Sequence, residues 1–378
     1  MAETNEYTSA NDNYTLTTNP KTLTATASAS NKVYDGLTTA TTTLTFSGLI
    51  GSETLGQTVG STFDNKNVGS NKTVTVNSIT LADGSNGGLA ANYSISAGQT
   101  TTANVTTKSL TVSGVTASNK TYDGSTNVTL DASSVAYSGL VSGDTFNGTY
   151  TGAFSDKNVG TGKTITITPS YSGADVSNYS VTDHSTITAN ITVKSLTVSG
   201  ITASNKTYDS TTSATLGTGS ISYGGLVSGD DFTGSYSGVF ADANAGTGKT
   251  VNITSSYSGA DVSNYNITNQ TSTTANITAK ALTATASASN KVYDGSSAAT
   301  ATLSLSGFIG SETVTSTNSS TFNNKNVGTG KTVTVNSITL SNGSNGGLAA
   351  NYSISTGQTT TANITAKSLT VSSITASN

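Results

Sequence analysis

The chain repeats one unit four times, and this internal periodicity limits its fold more than any other feature of the sequence. The motif Asn-Lys-x-Tyr-Asp occurs four times, with its tyrosines at positions 34, 122, 208 and 293, so the steps are 88, 86 and 85 residues. A second marker, Lys-x-Leu-Thr, begins at positions 21, 108, 194, 280 and 367. Self-similarity at a fixed period is typical of repeat architectures, in which each unit packs on its neighbours.

The markers place the boundaries of the repeats. The predicted segments are 1–20 (end of a preceding repeat), 21–107 (repeat 1), 108–193 (repeat 2), 194–279 (repeat 3), 280–366 (repeat 4) and 367–378 (start of a following repeat). Repeats 1 and 4 are near-identical over long stretches, and repeats 2 and 3 form the other pair, so the order is A-B-B-A. No linker rich in Pro, Gly or charge separates the repeats, and we therefore expect neighbours to meet closely.

Composition excludes several classes of function. The chain has no Cys, no Trp, a single His, and no Arg among its 16 basic residues. The absence of Cys removes thiol catalysis and zinc-ribbon sites, and the absence of Arg with a net charge of −4 argues against nucleic-acid binding. No stretch approaches 18 apolar residues, so we expect no membrane span. Ser and Thr exceed a third of the chain, which suits several thin cores better than one large core.

Period-two alternation within each repeat predicts an all-β fold. The segment 72–81 (KTVTVNSITL) places Val74 and Val76 on one face with Thr between them. We expect small β-sandwich-like modules of about 86 residues arranged as an elongated rod. One short helical turn is expected at GLAANY and GADVSNY. A β-grasp-like module with a short helix is the alternative fold. Between Val105 and Leu110 the inward parity flips, which predicts that one extended segment leaves the sheet of one repeat and enters the next.

Four tyrosine–aspartate pairs mark the first motif, Asn-Lys-x-Tyr-Asp-Gly. They are Tyr34 and Asp35, Tyr122 and Asp123, Tyr208 and Asp209, and Tyr293 and Asp294. The motif is interpreted as a strand end followed by a turn. The tyrosine packs its ring, and the Asp-Gly pair suits backbone positions that need positive φ. Ser210 replaces the Gly in repeat 3, which predicts that positive φ is not obligatory there.

The second motif joins an aromatic residue to a Gly-rich turn. Its phenylalanines are Phe63, Phe154, Phe240 and Phe322. The following GTGKT resembles a nucleotide-binding loop, but the required earlier Gly is absent and a strand pattern follows, so a hairpin turn is predicted instead.

The third motif ends each repeat's late turn with Asn-Tyr. Its tyrosines are Tyr93, Tyr179, Tyr265 and Tyr352. Asp175 and Asp261 lie inside this motif in repeats 2 and 3 and are candidates for binding calcium with loop carbonyls. Repeats 1 and 4 have no carboxylate there. The pair Asp230-Asp231 is interpreted as a solvated turn, and His184 as a surface residue.

Three further hypotheses follow, and the first two concern the recurring polar residues. An internal isopeptide bond would join Lys32 or Lys72, or their copies, to Asn92 or its copies, with Asp35 as the acid. Outward Thr, Asn and Asp faces would instead suit a multivalent array that binds glycans, ice or, with calcium, another ligand. A fibre subunit that assembles by strand exchange between repeats is the third alternative.

The motifs NKxYDG, FxDKNVGTGKT, SGADxSNY and TANITxKxLTV together resemble the YDG and MBG (mostly-β, glycine-rich) repeats of large bacterial surface adhesins similar to filamentous haemagglutinin. The resemblance covers all four repeats. It implies a stalk of a secreted, cell-surface adhesin or fibre that projects an adhesive region and supports adhesion or biofilm formation. It brings no catalytic residues and no cofactor, and it implies neighbouring repeats, itself or a host surface as partners. We expect no enzyme, because no His, Cys or carboxylate constellation recurs.

Overall fold

The computed structural model describes residues 18–375, and their regular secondary structure is almost entirely β-strand. Most of the predicted segment 1–20, and the last three residues of the predicted segment 367–378, lie outside the described residues. The chain divides into two compact units, residues 1–120 with 125–191 and residues 121–124 with 192–378. The first unit contains repeat 1 and nearly all of repeat 2, and the second contains repeats 3 and 4.

The strands of the first two repeats follow one another in the same order. Repeat 1 contains β1 Lys21–Thr22, β2 Thr24–Ala29, β3 Lys32–Val33, β4 Thr39–Ala40, β5 Thr42–Ser47, β6 Leu55–Phe63, β7 Gly69–Asp83, β8 Tyr93–Ser94 and β9 Thr100–Thr106. Repeat 2 contains β10 Lys108–Ser113, β11 Thr116–Ala117, β12 Lys120–Thr121, β13 Leu130–Asp131, β14 Ala136–Ser138, β15 Asn147–Phe154, β16 Gly160–Ser172, β17 Tyr179–Thr182 and β18 Thr186–Thr192.

The last two repeats keep this order. Repeat 3 contains β19 Lys194–Ser199, β20 Thr202–Ala203, β21 Lys206–Thr207, β22 Ser213–Ala214, β23 Leu216–Gly217, β24 Ser222–Gly224, β25 Thr233–Phe240, β26 Gly246–Ser258, β27 Tyr265–Thr268 and β28 Ser272–Thr278. Repeat 4 contains β29 Lys280–Ala288, β30 Lys291–Val292, β31 Ala298–Ala299, β32 Ala301–Ser306, β33 Val314–Phe322, β34 Gly328–Asn342, β35 Tyr352–Ile354 and β36 Thr359–Thr365.

Each repeat has a main sheet built around a long antiparallel hairpin. In repeat 1 the strand order is β3-β9-β7-β6-β4, and repeats 3 and 4 keep it as β21-β28-β26-β25-β22 and β30-β36-β34-β33-β31. In repeat 2 the hairpin strands β15 and β16 pair, and β18 lies beside β16. Phe63 at the end of β6 lies opposite Val74 of β7. The predicted hairpin between the Phe strand and the Val-Thr-Val strand is therefore confirmed.

A second, smaller sheet is built on the first strand of each repeat. This strand runs parallel to the strand that follows the late turn, in the pairs β1–β8, β10–β17, β19–β27 and β29–β35. It also pairs antiparallel with a later strand of the same repeat, β14 for β10 and β32 for β29. The late turn itself is a single 3-10 turn of three residues, as predicted, at Ala90–Asn92, Val176–Asn178, Val262–Asn264 and Ala349–Asn351.

The chain passes from one repeat to the next without a loop. Strand β9 ends at Thr106 in the main sheet of repeat 1, and β10 begins at Lys108 in the small sheet of repeat 2. Val105 and Leu110 are both buried, on opposite sides of this step. The predicted parity flip is confirmed, because a shift of one residue turns the side chains to the other face.

The core of each unit continues across its repeat boundary. In the first unit, Tyr34, Phe63 and Val74 of repeat 1 belong to the same buried cluster as Leu110 and Tyr179 of repeat 2. The second unit repeats this with Tyr208 and Phe240 on one side and Leu282, Val314 and Tyr352 on the other. The all-β prediction is confirmed, and the three-residue turns, with no α-helix in the described residues, favour the sandwich-like alternative over the β-grasp-like one.

Candidate functional site

The Lys of the first motif holds its own turn closed. The Nζ of Lys32 donates to Oδ1 of Asp35 at 2.8 Å and to the carbonyls of Leu37 and Thr39 at 2.7 and 2.9 Å. The same ammonium lies 5.5 Å from the centre of the Phe63 ring. A cation over an aromatic face is attracted by the ring quadrupole, so Lys, Asp and Phe of two motifs form one structural unit.

The other three repeats use the same arrangement. The Nζ of Lys206 donates to Asp209 at 2.7 Å and lies 5.5 Å from the Phe240 ring. Lys291 makes the equivalent contacts with Asp294 and Phe322. In repeat 2, Lys120 lies 5.7 Å from the centre of the Phe154 ring. The aspartates Asp35, Asp123, Asp209 and Asp294 are exposed, and all four phenylalanines are buried.

The expectation that repeat 3 dispenses with positive φ is wrong. Ser210 has φ of 62°, close to the 79° of Gly36 and Gly124 and the 82° of Gly295. The turn closed by the Lys requires the left-handed conformation whatever residue occupies the position. Serine therefore adopts a backbone region that L-residues other than Asn and Asp rarely visit.

The GTGKT segment forms a β-bulge rather than a phosphate loop. The pairing of β16 with β18 shifts register between Gly160 and Lys163, and Gly162 between them has φ of 59°. The backbone N–H of Gly162 donates to Oδ1 of Asn190 at 2.7 Å. The Asn of the TAN segment thus caps the bulge, and the same contact joins Gly248 to Asn276 at 2.7 Å.

Between repeats 1 and 2, one carboxylate of repeat 2 gathers three donors. The hydroxyls of Tyr34 and Tyr179 both donate to Oδ2 of Asp144, at 2.8 and 2.5 Å. The two rings meet edge to face, with centroids 5.6 Å apart and an interplanar angle of 78°. The Nζ of Lys66 lies 2.8 Å from Oδ1 of the same carboxylate, whose side chain is 2% exposed.

Lys66 of repeat 1 is also held by a second acid of repeat 2. Its Nζ lies 2.8 Å from Oδ1 of Asp175, and the other oxygen of Asp175 accepts the backbone N–H of Thr145 at 2.9 Å. Beside it, the N–H of Val68 donates to Oδ1 of Asn178 at 2.9 Å. The residues singled out as calcium candidates therefore include one, Asp175, that binds a lysine of the neighbouring repeat.

The second unit contains the same contact with a longer acid. In it, Tyr208 of repeat 3 and Tyr352 of repeat 4 donate to the two oxygens of Glu312, at 2.8 and 2.7 Å. The two rings are again 5.6 Å apart at 78°. The N–H of Ala245 donates to Oδ1 of Asn351 at 2.8 Å. Ala243 stands at the position of Lys66, so this contact has no ammonium at that position.

A third copy lies within the second unit, which includes residues 121–124. The hydroxyl of Tyr122 donates to Asp230 at 2.9 Å, and that of Tyr265 at 2.5 Å. Their rings are 5.6 Å apart at 79°. The interpretation of Asp230-Asp231 as a solvated turn is therefore wrong for Asp230, because two tyrosine hydroxyls and partial burial hold it in place.

These contacts raise the pKa values of their tyrosines, and the contact between repeats 1 and 2 also lowers the pKa of its acid, Asp144. Burial alone would raise the pKa of Asp144, but hydrogen bonds from Lys66, Tyr179 and Tyr34 outweigh it and hold the pKa below its usual value. Burial, followed by the contact with Asp144, raises the pKa of Tyr179 to about 12. Burial and Glu312 raise the pKa of Tyr208 to about 12. Tyr179 and Tyr208 are thus neutral donors near neutral pH, and Asp144 is an ionised acceptor.

The remaining candidates are separated by the fold. Lys32 and Lys72 bond to Asp35 and Asp64 rather than to Asn92, so the structure does not assemble the isopeptide pair. His184 is exposed, as expected. Across residues 18–375 no group of three or more His, Asp or Glu could hold a metal ion, and no helix is long and apolar enough to cross a membrane.

Three acids that accept tyrosine hydroxyls were not identified from the motifs, and a fourth, Asp230, was assigned to a solvated turn. The three are Glu53, Asp144 and Glu312. A signal was present, since Val-Ser-Gly-Asp ends at Asp144 and Asp230, and Ile-Gly-Ser-Glu ends at Glu53 and Glu312. The two sequences differ at most positions and end in acids of different length, so the equivalence of these four acids is not evident from the sequence. In the fold they take the same place, since Tyr93 donates to Glu53 as Tyr179 does to Asp144.

Comparison with known families agrees with this repeat architecture. The model of the YDG domain matches four times in tandem, over residues 19–103, 106–188, 192–275 and 278–362. The chain belongs to the YDG domain family. The search of the curated proteins returns no match. The YDG motif itself is the Lys-closed turn, and its tyrosine is the donor to the next acid in both described units.

Proposed function

We propose that these YDG repeats are a shaft segment of a secreted bacterial surface adhesin or fibre, which holds an adhesive region away from the cell and supports adhesion or biofilm formation. One observation carries the proposal: the recurring polar residues of the motifs make hydrogen bonds that close turns or that join one repeat to the next. The partners of each repeat are then its neighbours in the chain, and the proposed role is mechanical, with no reaction catalysed and no cofactor bound.

The direct connection between repeats supports a role in reach. A single residue, Thr107, separates β9 from β10, and a buried cluster continues across this step. In repeat proteins, stability and stiffness come from such contacts between nearest neighbours. A flexible linker of the same length would instead behave as a random coil, whose end-to-end distance grows only as the square root of its length.

Cell-surface display provides the test. A small binding domain is displayed on a cell at the end of the 378-residue chain, and on a Gly/Ser linker of 378 residues as the matched control. The antigen is attached to the surface of beads that also carry a polymer brush. The brush is chosen thick enough that the flexible Gly/Ser linker cannot reach the antigen through it. We expect the YDG chain to capture the beads and the linker to fail. Equal capture would contradict the shaft proposal.

The same cells distinguish the ligand-binding alternative. Without the binding domain, cells that display the YDG chain should capture neither the beads nor immobilised glycans. Retention of a glycan by the bare chain would favour a multivalent array over a passive shaft.

A further inference from the structure

We propose that each repeat carries tension along the chain, and that the Asn-Lys-x-Tyr segment of its first motif is a latch that holds the last strand against the pull. The latch segments are 31–34, 119–122, 205–208 and 290–293. The first strand of a repeat is its entry strand and the last is its exit strand. The inference goes beyond the proposed shaft, because it holds for a repeat whatever the chain is attached to.

The direction of strand pairing determines how a repeat meets tension. In repeat 3 the entry strand β19 pairs parallel with the late strand β27 over four residues, and the exit strand β28 pairs parallel with the early strand β21. Repeats 1 and 4 pair β9 with β3 and β36 with β30 in the same way. End-to-end tension pulls an early strand towards its N-terminus and a late strand towards its C-terminus. In a parallel pair these pulls oppose each other along the strands, so the hydrogen bonds are loaded together in shear rather than broken one after another.

Three hydrogen bonds of the latch hold the end of the exit strand. In repeat 3, Oδ1 of Asn205 accepts the backbone N–H of Asn276 at 2.7 Å. The backbone N–H of Tyr208 donates to the carbonyl of Thr278 at 2.8 Å. The hydroxyl of Thr278 donates to the carbonyl of Lys206 at 3.2 Å. Backbone and side chains of the latch therefore grip the last three residues of β28.

The latch is the same in all four repeats. The bond from the exit strand to the Asn of the motif is 2.7 Å long in each, in the pairs Asn31–Asn104, Asn119–Asn190, Asn205–Asn276 and Asn290–Asn363. The bond from the tyrosine N–H to the last threonine of the strand is 2.8 or 2.9 Å long in each. The Asn takes no part in closing the turn or in the tyrosine–acid contacts described above, and the latch gives it a role.

A pull from the next repeat reaches the latch directly. One residue, Ala279, separates β28 from β29, so no loop lies between the exit strand of repeat 3 and the entry strand of repeat 4. Ile277 and Leu282, on the two sides of this step, are buried in one cluster. Tension on β29 is therefore delivered to the end of β28, where the latch bonds lie.

Single-molecule force spectroscopy of the full chain tests the dependence on direction. The chain has no Cys, so pairs of cysteines can be introduced and coupled to handles under reducing conditions. Val193→Cys with Ala281→Cys, both at exposed positions, loads repeat 3 from entry to exit. Thr233→Cys with Ser258→Cys, which lie opposite each other at the open end of the β25–β26 hairpin, peels the same repeat. We expect a higher mean unfolding force through the first pair, and equal forces would overturn the proposal.

Asn205→Ala, placed in both handle pairs, tests the latch itself. At constant tension through positions 193 and 281, we expect unfolding to be about fivefold faster, the factor that corresponds to one hydrogen bond. Through positions 233 and 258 we expect no change. Thr278→Val removes only the hydroxyl of the last threonine and should give a smaller rise, again only through 193 and 281.

Tyr236→Phe is the matched control. It removes one hydrogen bond, 3.0 Å long, between Tyr236 of β25 and Tyr223 of β24, neither of which is an entry or exit strand. It should leave the unfolding rate through 193 and 281 unchanged. A merely structural role of Asn205 would speed unfolding equally in both directions. That result overturns the proposal, as does the absence of any change in both Asn205→Ala and Thr278→Val. Bead capture by the displayed chain measures reach rather than resistance to tension, so the two tests fail independently.

Discussion

Single residues in these repeats have one of two tasks, closing a turn or joining neighbours. Lys32 and Asp35 close the turn that follows Tyr34, and the Tyr34 hydroxyl then reaches the acid of the next repeat. The carboxylate of Asp144 is the centre of the second task, because two tyrosines and one lysine depend on it.

Asp144→Asn tests that dependence. The amide keeps an acceptor for the tyrosines but cannot pair with Lys66. We expect the free energy of unfolding to fall by about 1.5–3 kcal/mol, the range for hydrogen bonds to charged groups. Urea unfolding measures the change. Asp64→Asn is the matched control, since Asp64 pairs with Lys72 but its side chain is 47% exposed, and such surface pairs contribute less than about 1 kcal/mol. If the two variants lost the same free energy of unfolding, the buried contact at Asp144 would contribute no more than an exposed ion pair, which would contradict the prediction.

Ser210 gives a second prediction at this scale. Ser210→Gly should stabilise repeat 3 by about 0.5–1 kcal/mol, because glycine relieves the left-handed conformation more than its extra freedom in the unfolded chain costs. Gly124→Ser should destabilise, since φ is 79° there and a Cβ would lie 2.7 Å from Val227. Thermal unfolding of both variants checks the opposite signs. A less stable Ser210→Gly chain would mean that the serine hydroxyl is needed in the turn.

Among the elements, the β-bulge where the second hairpin strand pairs with the last strand of each repeat accounts for two recurring motif residues, the Gly of GTGKT and the Asn of TAN. It uses a residue of positive φ, which is Gly in repeats 2, 3 and 4 and Asn71 in repeat 1. An Asn from the neighbouring strand caps it in every repeat. Bulges increase the local twist of a strand and are features of the fold rather than defects.

A pair of substitutions at this bulge separates conformation from side-chain size. Gly162→Asn copies repeat 1 and should change the free energy of unfolding by less than about 1 kcal/mol, since Asn tolerates the left-handed region. Gly162→Val should cost about 1–2 kcal/mol, because a β-branched residue is a true outlier there. Open space surrounds a Cβ at Gly162, so a steric clash does not account for the difference. Equal unfolding midpoints in urea would contradict the argument.

For the whole molecule, the contacts between repeats predict how stability depends on pH. Asp144 and Asp175 have lowered pKa values, so their contribution is present above about pH 4, the ordinary value, and is lost as pH falls through the folded pKa. Tyr179, Tyr208 and Tyr265 have pKa values raised to about 12, so theirs is present below about pH 10 and is lost as pH rises towards 12.

We therefore expect a plateau of stability between about pH 4 and 10, with a decline on both sides. Urea midpoints measured across this range check it. Asp144→Asn should make the acid side less steep, because one of the titrating groups is gone while Asp175 remains. Stability that stays constant from pH 10 to 12 would contradict the role of the buried tyrosine hydroxyls.

The amino-acid sequence by itself determined the number of repeats, their all-β class and the hairpin in each. These follow from a period of about 86 residues and from alternation in segments such as 72–81, both of which are local properties. The change of the inward-facing side between β9 and β10 was also predictable, because it follows from the odd separation in sequence between the apolar positions Val105 and Leu110. The positive φ at Ser210 was not, since the conformation of that turn is imposed by the Lys206 contacts that close it.

Only the tertiary structure decided what the recurring residues are for. Tyr34 and Asp144 are 110 residues apart in the sequence, and nothing in either motif indicates the other as its partner. The motif tyrosine could be identified from the sequence. The acid at the acceptor position, however, is Asp in two repeats and Glu in two, and its separation in sequence from the next tyrosine differs between them. Pairing across a repeat boundary depends on how two sheets meet. That geometry is set by the packing of the buried cluster around Leu110 and Phe146, which no local pattern specifies.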